Sequence, residues 1–378
     1  MRIAIVAESF LPEINGVSNS VARILDYAAD HGHEVIIIAP GKAINKRTRD
    51  DRKNDEVTAH TPQSYAGFPI IRVPSIYPPL IDSFAVGVPT RTLSKALTNF
   101  RPDIVHLASP FVLGGVASFI ARCKKIPTVA VYQTDIAGFA NRYHLSQCAT
   151  ASWWWTRMVH NNCQRTLAPS RTSMLELRRR GIKNLYCWAR GVDTMLFHPD
   201  NGDQKLRLAW DPTGKKTIVG YVGRLAAEKG VHRLRVLEQR RDMQLIIVGD
   251  GPERKQLATL LPSAIFLGAR TGKELSRIYA SFDVFVHPGE FETFCQTIQE
   301  AHASGVSTIA PRAGGPIDLI NSDNGLLLDL EHFETDLVAA VDKLRGLSSD
   351  SVRQTVLGKT WPAVCEQLFE HYRCVQDS

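Results

Sequence analysis

Short apolar runs rich in Val, Ile and Ala recur through the first half of the chain, at Arg2 to Ala7, Glu34 to Ala39, Pro69 to Val73, Ile104 to Leu107, Thr128 to Tyr132 and Arg165 to Ala168. Each is shorter than a globular helix and several are bounded by Gly, Pro, Asn or Asp, the pattern of a buried strand. Between them lie stretches with helical spacing, the clearest being Val17 to Ala29. Alternation of this kind is βαβ punctuation and predicts a mostly parallel sheet. The second half repeats it, with runs at Thr217 to Val222, Gln244 to Val248, Ala264 to Leu267, Val284 to His287 and Ser307 to Ala310. The fold class is therefore α/β, with two doubly wound domains. The polar stretch FHPDNGDQ, followed by DPTGKK just before a new strand, places the boundary within residues 185 to 212. The cleft between the halves becomes the expected site.

Composition narrows the class. A chain of 378 residues suits two domains, each with its own core. Hydrophobic residues make up 44% and charged ones 22%, and no apolar run approaches the roughly 18 residues of a membrane span. The opening MRIAIVAESF reads as a first strand rather than a secretory segment, so a cytoplasmic location is expected. Seven scattered cysteines include no Cys-x-x-Cys pair, which favours buried free thiols over zinc or redox work. A formal net charge of +7 favours anionic partners without choosing among nucleotides, anionic lipid head groups and nucleic acid. Residues 42 to 60, KAINKRTRDDRKNDEVTAH, are dense in charge and read as a solvated loop, with a membrane-surface contact as the alternative.

Four segments carry candidate chemistry. In PGEFETFCQTIQEAHASG, residues 288 to 305, a strand ends at His287 and Pro288 and a helix is expected from near Phe294 to a Gly305 cap. Open α/β sheets bind ligands at such carboxyl ends. Free amides of Phe294, Cys295 and Gln296 would meet a diphosphate, with Glu292 beside them and Glu300 eight residues on. Eight helical residues span about 12 Å, so two carboxylates could bracket a nucleotide sugar; an exposed helix with two ordinary glutamates is the alternative. In YVGRLAAEKG, Gly223 lets the chain leave a buried strand and puts Arg224 at its tip, with Lys229 five residues later. Two cations there suit a diphosphate, or else form a solvated turn. After the first strand, Asn15 and Gly16 precede a helix whose outward-facing amides could receive a phosphate or sugar, and a plain turn explains them equally. ARGVDTMLFHP, residues 189 to 199, has the look of an interdomain hinge.

These segments, in this order, resemble glycosyltransferase family 4: a Gly loop after the first strand, G-V-D-x-x-x-F, G-R-x-x-x-x-K, and two glutamates eight apart. SFLPEINGVSNSV, DIVHLASP, QTDIAGFA, WARGVD, VGDG, DVFVHPGEFETFCQT and APRAGGP are similar, more narrowly, to actinobacterial α-mannosyltransferases that use GDP-mannose on glycolipid acceptors. The resemblance implies a GT-B fold, two Rossmann-like domains facing a cleft. Residues 1–185 plus about 360–378 would form the acceptor-binding domain, and 186–359 the nucleotide-sugar domain. TWPAVCEQLFEHY, residues 360 to 372, would be the helix that returns to the first domain. The resemblance further implies that Gly16 meets the donor phosphate region, that Arg224 and Lys229 hold the diphosphate, and that Glu292 contacts the hexose and Glu300 the ribose. Amides of Phe294 and Cys295 would complete the cradle, behind Gly223. Nucleobase contact is expected around Gly249 to Gly251 and Gly268 to Lys273, with Arg270 facing guanine.

The chain departs from the family at VYQTDIAGF, where Gln133 stands in place of the usual His and Asp135 follows two residues later. Asp135 is the expected catalytic partner with Arg224, Lys229 and Glu292, and Gln133 a donor contact; an N-cap or turn role is the alternative for Asp135. The reaction implied is retaining, metal-independent mannosyl transfer by a front-face path to a lipid-linked acceptor, glucuronosyl diacylglycerol or a lipomannan precursor. Glucosyl or sulfoquinovosyl transfer from a UDP-sugar to diacylglycerol is the alternative, as is mannosyl transfer to a phosphatidylinositol mannoside. Peripheral contact with an anionic membrane and no nucleic-acid partner are expected. His-Glu-x-x-His, Gly-x-Ser-x-Gly and a P-loop are all missing from the sequence, which removes zincin, serine hydrolase and P-loop NTPase readings. Trp153, Trp154 and Trp155 fall in a predicted helix, where three consecutive residues cannot all face inward, so one is expected at an interface.

Overall fold

The computed structural model describes residues 1–13, 15–43, 61–76, 86–133 and 146–377. Asp135 and the charged segment from residue 44 to residue 60 lie outside them. The chain divides into one unit formed by Met1–Ala189 with Val364–Ser378 and another formed by Arg190–Ala363.

The first unit is built on β1 (Arg2–Ala7), β2 (Glu34–Ala43), β3 (Ser64–Tyr65), β4 (Phe68–Ile76), β5 (Val86–Gly87), β6 (Ile104–Ala108), β7 (Thr128–Val131), β8 (Arg165–Ala168) and β9 (Leu185–Cys187). Among the described residues the sheet order is β3-β4-β2-β1-β6-β7-β8-β9, with β5 added to β4. All pairings are parallel except those of β3 and β5 with β4. β1 and β6 are apolar over nearly their full length and buried, as strands covered on both faces must be. The C-terminal helix Trp361–Gln376 supplies Val364 onward to this unit. It is pinned there by Trp188 Nε1, which donates to Val364 O at 2.8 Å, and by the buried Tyr372 hydroxyl, 2.8 Å from His106 Nδ1.

The second unit holds β10 (Thr217–Val222), β11 (Met243–Val248), β12 (Ile265–Gly268), β13 (Val284–Val286), β14 (Ser307–Pro311) and β15 (Gly325–Leu328), ordered β12-β11-β10-β13-β14-β15 and all parallel. The order reverses direction between β10 and β13, the point at which doubly wound sheets open a crevice at their carboxyl ends. One face of this sheet buries Val219, Tyr221, Leu245, Ile247, Val284 and Val286 against Phe333, Leu337 and Val341 of the helix Phe333–Leu344.

Candidate functional site

In the second unit, the turns that leave β10, β11, β13 and β14 meet backbone to backbone. Gly223 follows β10, and a Cβ there would lie 2.7 Å from Tyr221 Oη, which donates to Arg224 O at 3.0 Å. That hydroxyl fixes where Arg224 leaves the strand. The pairing of β10 with β11 continues past both strands, with Gly223 N on Val248 O at 3.0 Å and Leu225 N on Asp250 O at 2.9 Å. Gly249 is held at φ 136°, where a Cβ would lie 1.9 Å from Gly223 O, so no other residue fits. Its glycine is therefore explained by strand packing, with or without a nucleobase nearby.

Lys229 ends a 3₁₀ turn, Ala227–Lys229, and its Nζ pairs with Glu292 Oε1. Glu292 sits in the loop after β13 with a side chain only 14% exposed, and His287 Nε2 lies 3.2 Å from the same oxygen. Burial opposes the Glu292 charge, but the Lys229 ammonium and His287 outweigh it and hold the carboxyl down at about 2. Burial likewise opposes a charge on His287, yet Cys295 and Glu292 push it up to about 9. Arg190 is also close enough to feel the Glu292 charge, while its burial lowers the guanidinium to about 10. Glu290, two residues earlier, turns elsewhere, to Arg233 Nη2 at 2.8 Å, and Arg233 Nη1 donates to Pro288 O at 2.8 Å. The two glutamates of Glu290-Phe291-Glu292 thus have separate jobs, one bracing the loop and one facing cations.

The helix expected from Phe294 runs Gln296–Ala303, with Gly305 just beyond it at φ 73°. Its N-cap is Cys295, in a left-handed conformation at φ 83° that costs a non-glycine residue of order 1–3 kcal/mol. Gln296 Nε2 donates to Gly191 O at 2.9 Å, tying the helix start to the Gly-Val-Asp turn. Glu300 lies within that helix, where Tyr279 Oη donates to its Oε2 at 3.1 Å. Arg270 sits in the turn after β12 and pairs with Glu274 at 3.3 Å. Arg224 is 54% exposed and pairs with Glu228.

The structure thus brings Lys229, Glu292 and Cys295 together. Sequence reasoning missed His287, Arg190, Tyr279, Arg233 and the glycine pair Gly314 and Gly315. A Cβ on Gly314 would lie 2.5 Å from Glu292 O, and one on Gly315 would lie 2.5 Å from the Phe294 backbone. The segment APRAGGP, which holds that pair and carries part of the family resemblance, is the one signal in the sequence that points to it.

In the first unit, Gly16 begins the helix Gly16–Asp30. The expectation of open amides needs correction, because Asn15 Oδ1 accepts from Val17 N at 2.9 Å and Ser18 N at 3.0 Å. A short carboxamide at the N-cap satisfies its own helix first. Gln133 lies two residues past β7, buried. Trp155 Nε1 donates to Phe111 O at 2.7 Å, Trp153 carries Arg180 4.7 Å from its ring centre, and Trp154 is 54% exposed.

Two doubly wound, mostly parallel sheets, with cations and carboxylates gathered at the strand ends of one, are the architecture of the GT-B fold. The chain belongs to glycosyltransferase family 4: residues 14–196 match the description "Glycosyltransferase Family 4", and residues 216–346 match "Glycosyl transferases group 1". It is 55% identical to the GDP-mannose-dependent alpha-mannosyltransferase of Corynebacterium glutamicum, over 98% of this chain and 88% of that protein. It is 49% identical to the enzyme of that name from Mycolicibacterium smegmatis, over 99% of this chain and 98% of the other. The crystal structure of Anabaena HepE in complex with UDP has the same fold, with a TM-score of 0.75 at 18% identity, covering 99% of this chain and all of that one.

Proposed function

We propose that the chain transfers an α-mannosyl residue from GDP-mannose to a membrane glycolipid, glucuronosyl diacylglycerol or a related lipomannan precursor, with retention and without a required metal ion. The unit Arg190–Ala363 holds the donor, and the unit containing Met1–Ala189 the acceptor. The observation that carries this reading is the fixed place of Glu292. It is a largely buried carboxylate kept ionised between Lys229 and His287 at the strand tips of a doubly wound sheet. There it accepts hydrogen bonds from hexose hydroxyls while Lys229 and Arg224 neutralise the diphosphate, and the guanine preference follows the two relatives named for GDP-mannose.

As the glycosidic bond breaks, charge grows on the leaving diphosphate, and Arg224 with Lys229 stabilises it in place. The leaving phosphate oxygen takes the acceptor's proton on the same face. Amides of Phe294 and Cys295 complete the phosphate cradle, Glu300 receives the ribose hydroxyls, and Arg270 faces the base. Gly16, Gln133 and Asp135 act from the other unit, Asp135 orienting the reacting hydroxyl.

Calorimetric titration of the protein with GDP, UDP and ADP tests the donor class. Selective GDP binding is expected, unchanged by a chelator and weakened about 10- to 150-fold in Arg224→Ala, the worth of a charge-assisted hydrogen bond. Selective UDP binding overturns the mannosyl assignment.

A further inference from the structure

Three potential metal-ligating groups converge beside the loop after β13. One ring nitrogen of His287, a carboxylate oxygen of Glu292 and Sγ of Cys295 lie within 4.8 Å of one another. His287 is 3% exposed, and neither of its ring nitrogens makes a hydrogen bond of ordinary geometry. Its closest carboxylate contact, 3.2 Å to Glu292 Oε1, is the separation of two neighbouring ligands on one ion. Cys295 is 7% exposed and keeps its thiol there from a left-handed backbone, a position that glycine would occupy without strain.

We infer that His287, Glu292 and Cys295 form a binding site for a thiophilic divalent cation of the zinc class, which inhibits the enzyme. The donor set is one imidazole, one carboxylate and one thiolate, the borderline-soft mixture that selects zinc or cadmium over magnesium or calcium. Three protein ligands leave a fourth position for water. The ion enters by taking the Glu292 carboxylate from Lys229 and displacing two protons to solvent, one from the His287 imidazolium and one from the Cys295 thiol. No redox change is involved. Bound there, the cation engages the carboxylate assigned above to the donor hexose, so its inhibitory action rests on that reading while its binding does not.

The test titrates the full-length protein with Cd2+, following thiolate-to-metal charge-transfer absorbance, and repeats it with Cys295→Gly and His287→Ala. Cys295→Gly removes the ligand and relieves the backbone, so lost binding in a well-folded variant cannot be blamed on unfolding. One equivalent of Cd2+ should disappear in Cys295→Gly. In His287→Ala its affinity should fall by more than the roughly 10- to 100-fold typical of losing an outer-shell partner. An unchanged equivalent in both variants overturns the site and assigns the metal to exposed thiols such as Cys123, Cys187 or Cys374. Competition between Cd2+ and GDP-mannose in the wild-type protein completes the assignment. Cation binding that is lost in both variants but leaves donor affinity untouched keeps the metal site and removes Glu292 from the donor contacts.

Discussion

Glu300 is held in the fold at a cost that varies with pH. Burial raises its carboxyl to about 7 from the ordinary 4.5, and the Tyr279 hydrogen bond offsets only part of that. The unfolded chain releases this proton near 4.5 and the folded chain only near 7, so rising pH through that window favours unfolding. The loss is at most of order 3 kcal/mol and is complete above the folded value. Glu300→Gln keeps an acceptor for Tyr279 and cannot ionise. Its denaturant midpoint should exceed that of the parent at pH 8 and match it near pH 4, while its affinity for GDP falls if the carboxylate receives the ribose. A midpoint difference that does not grow between those pH values removes burial of the charge as the cause. Cys295→Gly belongs beside it, with a net gain in chemical denaturation smaller than the roughly 1–3 kcal/mol of relieved backbone strain, because glycine adds unfolded-state freedom and a buried thiol is lost.

Other elements hold the loop after β13 from several sides. Arg233 bonds Pro288 O and Glu290, Gly230 abuts Pro288 O, and Gly315 lies against the Phe294 backbone. In Gly315→Ala the new methyl would sit 2.5 Å from Phe294 Cα and its carbonyl oxygen. The loop must then move, at a typical overpacking cost of about 1–3 kcal/mol, and nucleotide affinity should fall with it. Wild-type GDP affinity in a folded Gly315→Ala protein would show that the loop does not set the cradle.

These braces were not legible in the sequence, whereas the motif they support was. Glu292 and Glu300 announce themselves by their eight-residue spacing, one in the loop and one in the helix Gln296–Ala303, but Arg233 meets Glu290 from 57 residues away, and nothing local encodes that meeting. Strand cores were legible for the same reason. The run Glu34 to Ala39 is apolar, yet β2 extends to Ala43 because β4 continues to pair with it past a register shift at Pro40. Where a strand stops is decided by its partner.

At the scale of the whole molecule, no helix among the described residues is long and apolar enough to cross a membrane, and the lipid-linked acceptor proposed above calls for a surface contact. The net charge of +7 supplies long-range attraction to an anionic leaflet, and short-range anchoring needs an amphipathic side chain. Trp154 meets that need at 54% exposure on the helix Ser146–Asn161, where exposed Arg157 follows one turn later. Near Arg157 lies Gly181, where a Cβ would be 3.2 Å from Arg157 Cδ, and Gly181 ends the exposed run Arg178, Arg179 and Arg180. Each cation near an anionic surface contributes about 1 kcal/mol and is screened by salt. The protein should therefore co-sediment with phosphatidylglycerol vesicles at low ionic strength, release as salt is raised, and ignore purely zwitterionic vesicles. Trp154→Ala should weaken this binding without altering GDP affinity, because Trp154 lies outside Arg190–Ala363, the unit proposed above to hold the donor. Equal binding to both vesicle types, or none lost in Trp154→Ala, would move the lipid contact to another face.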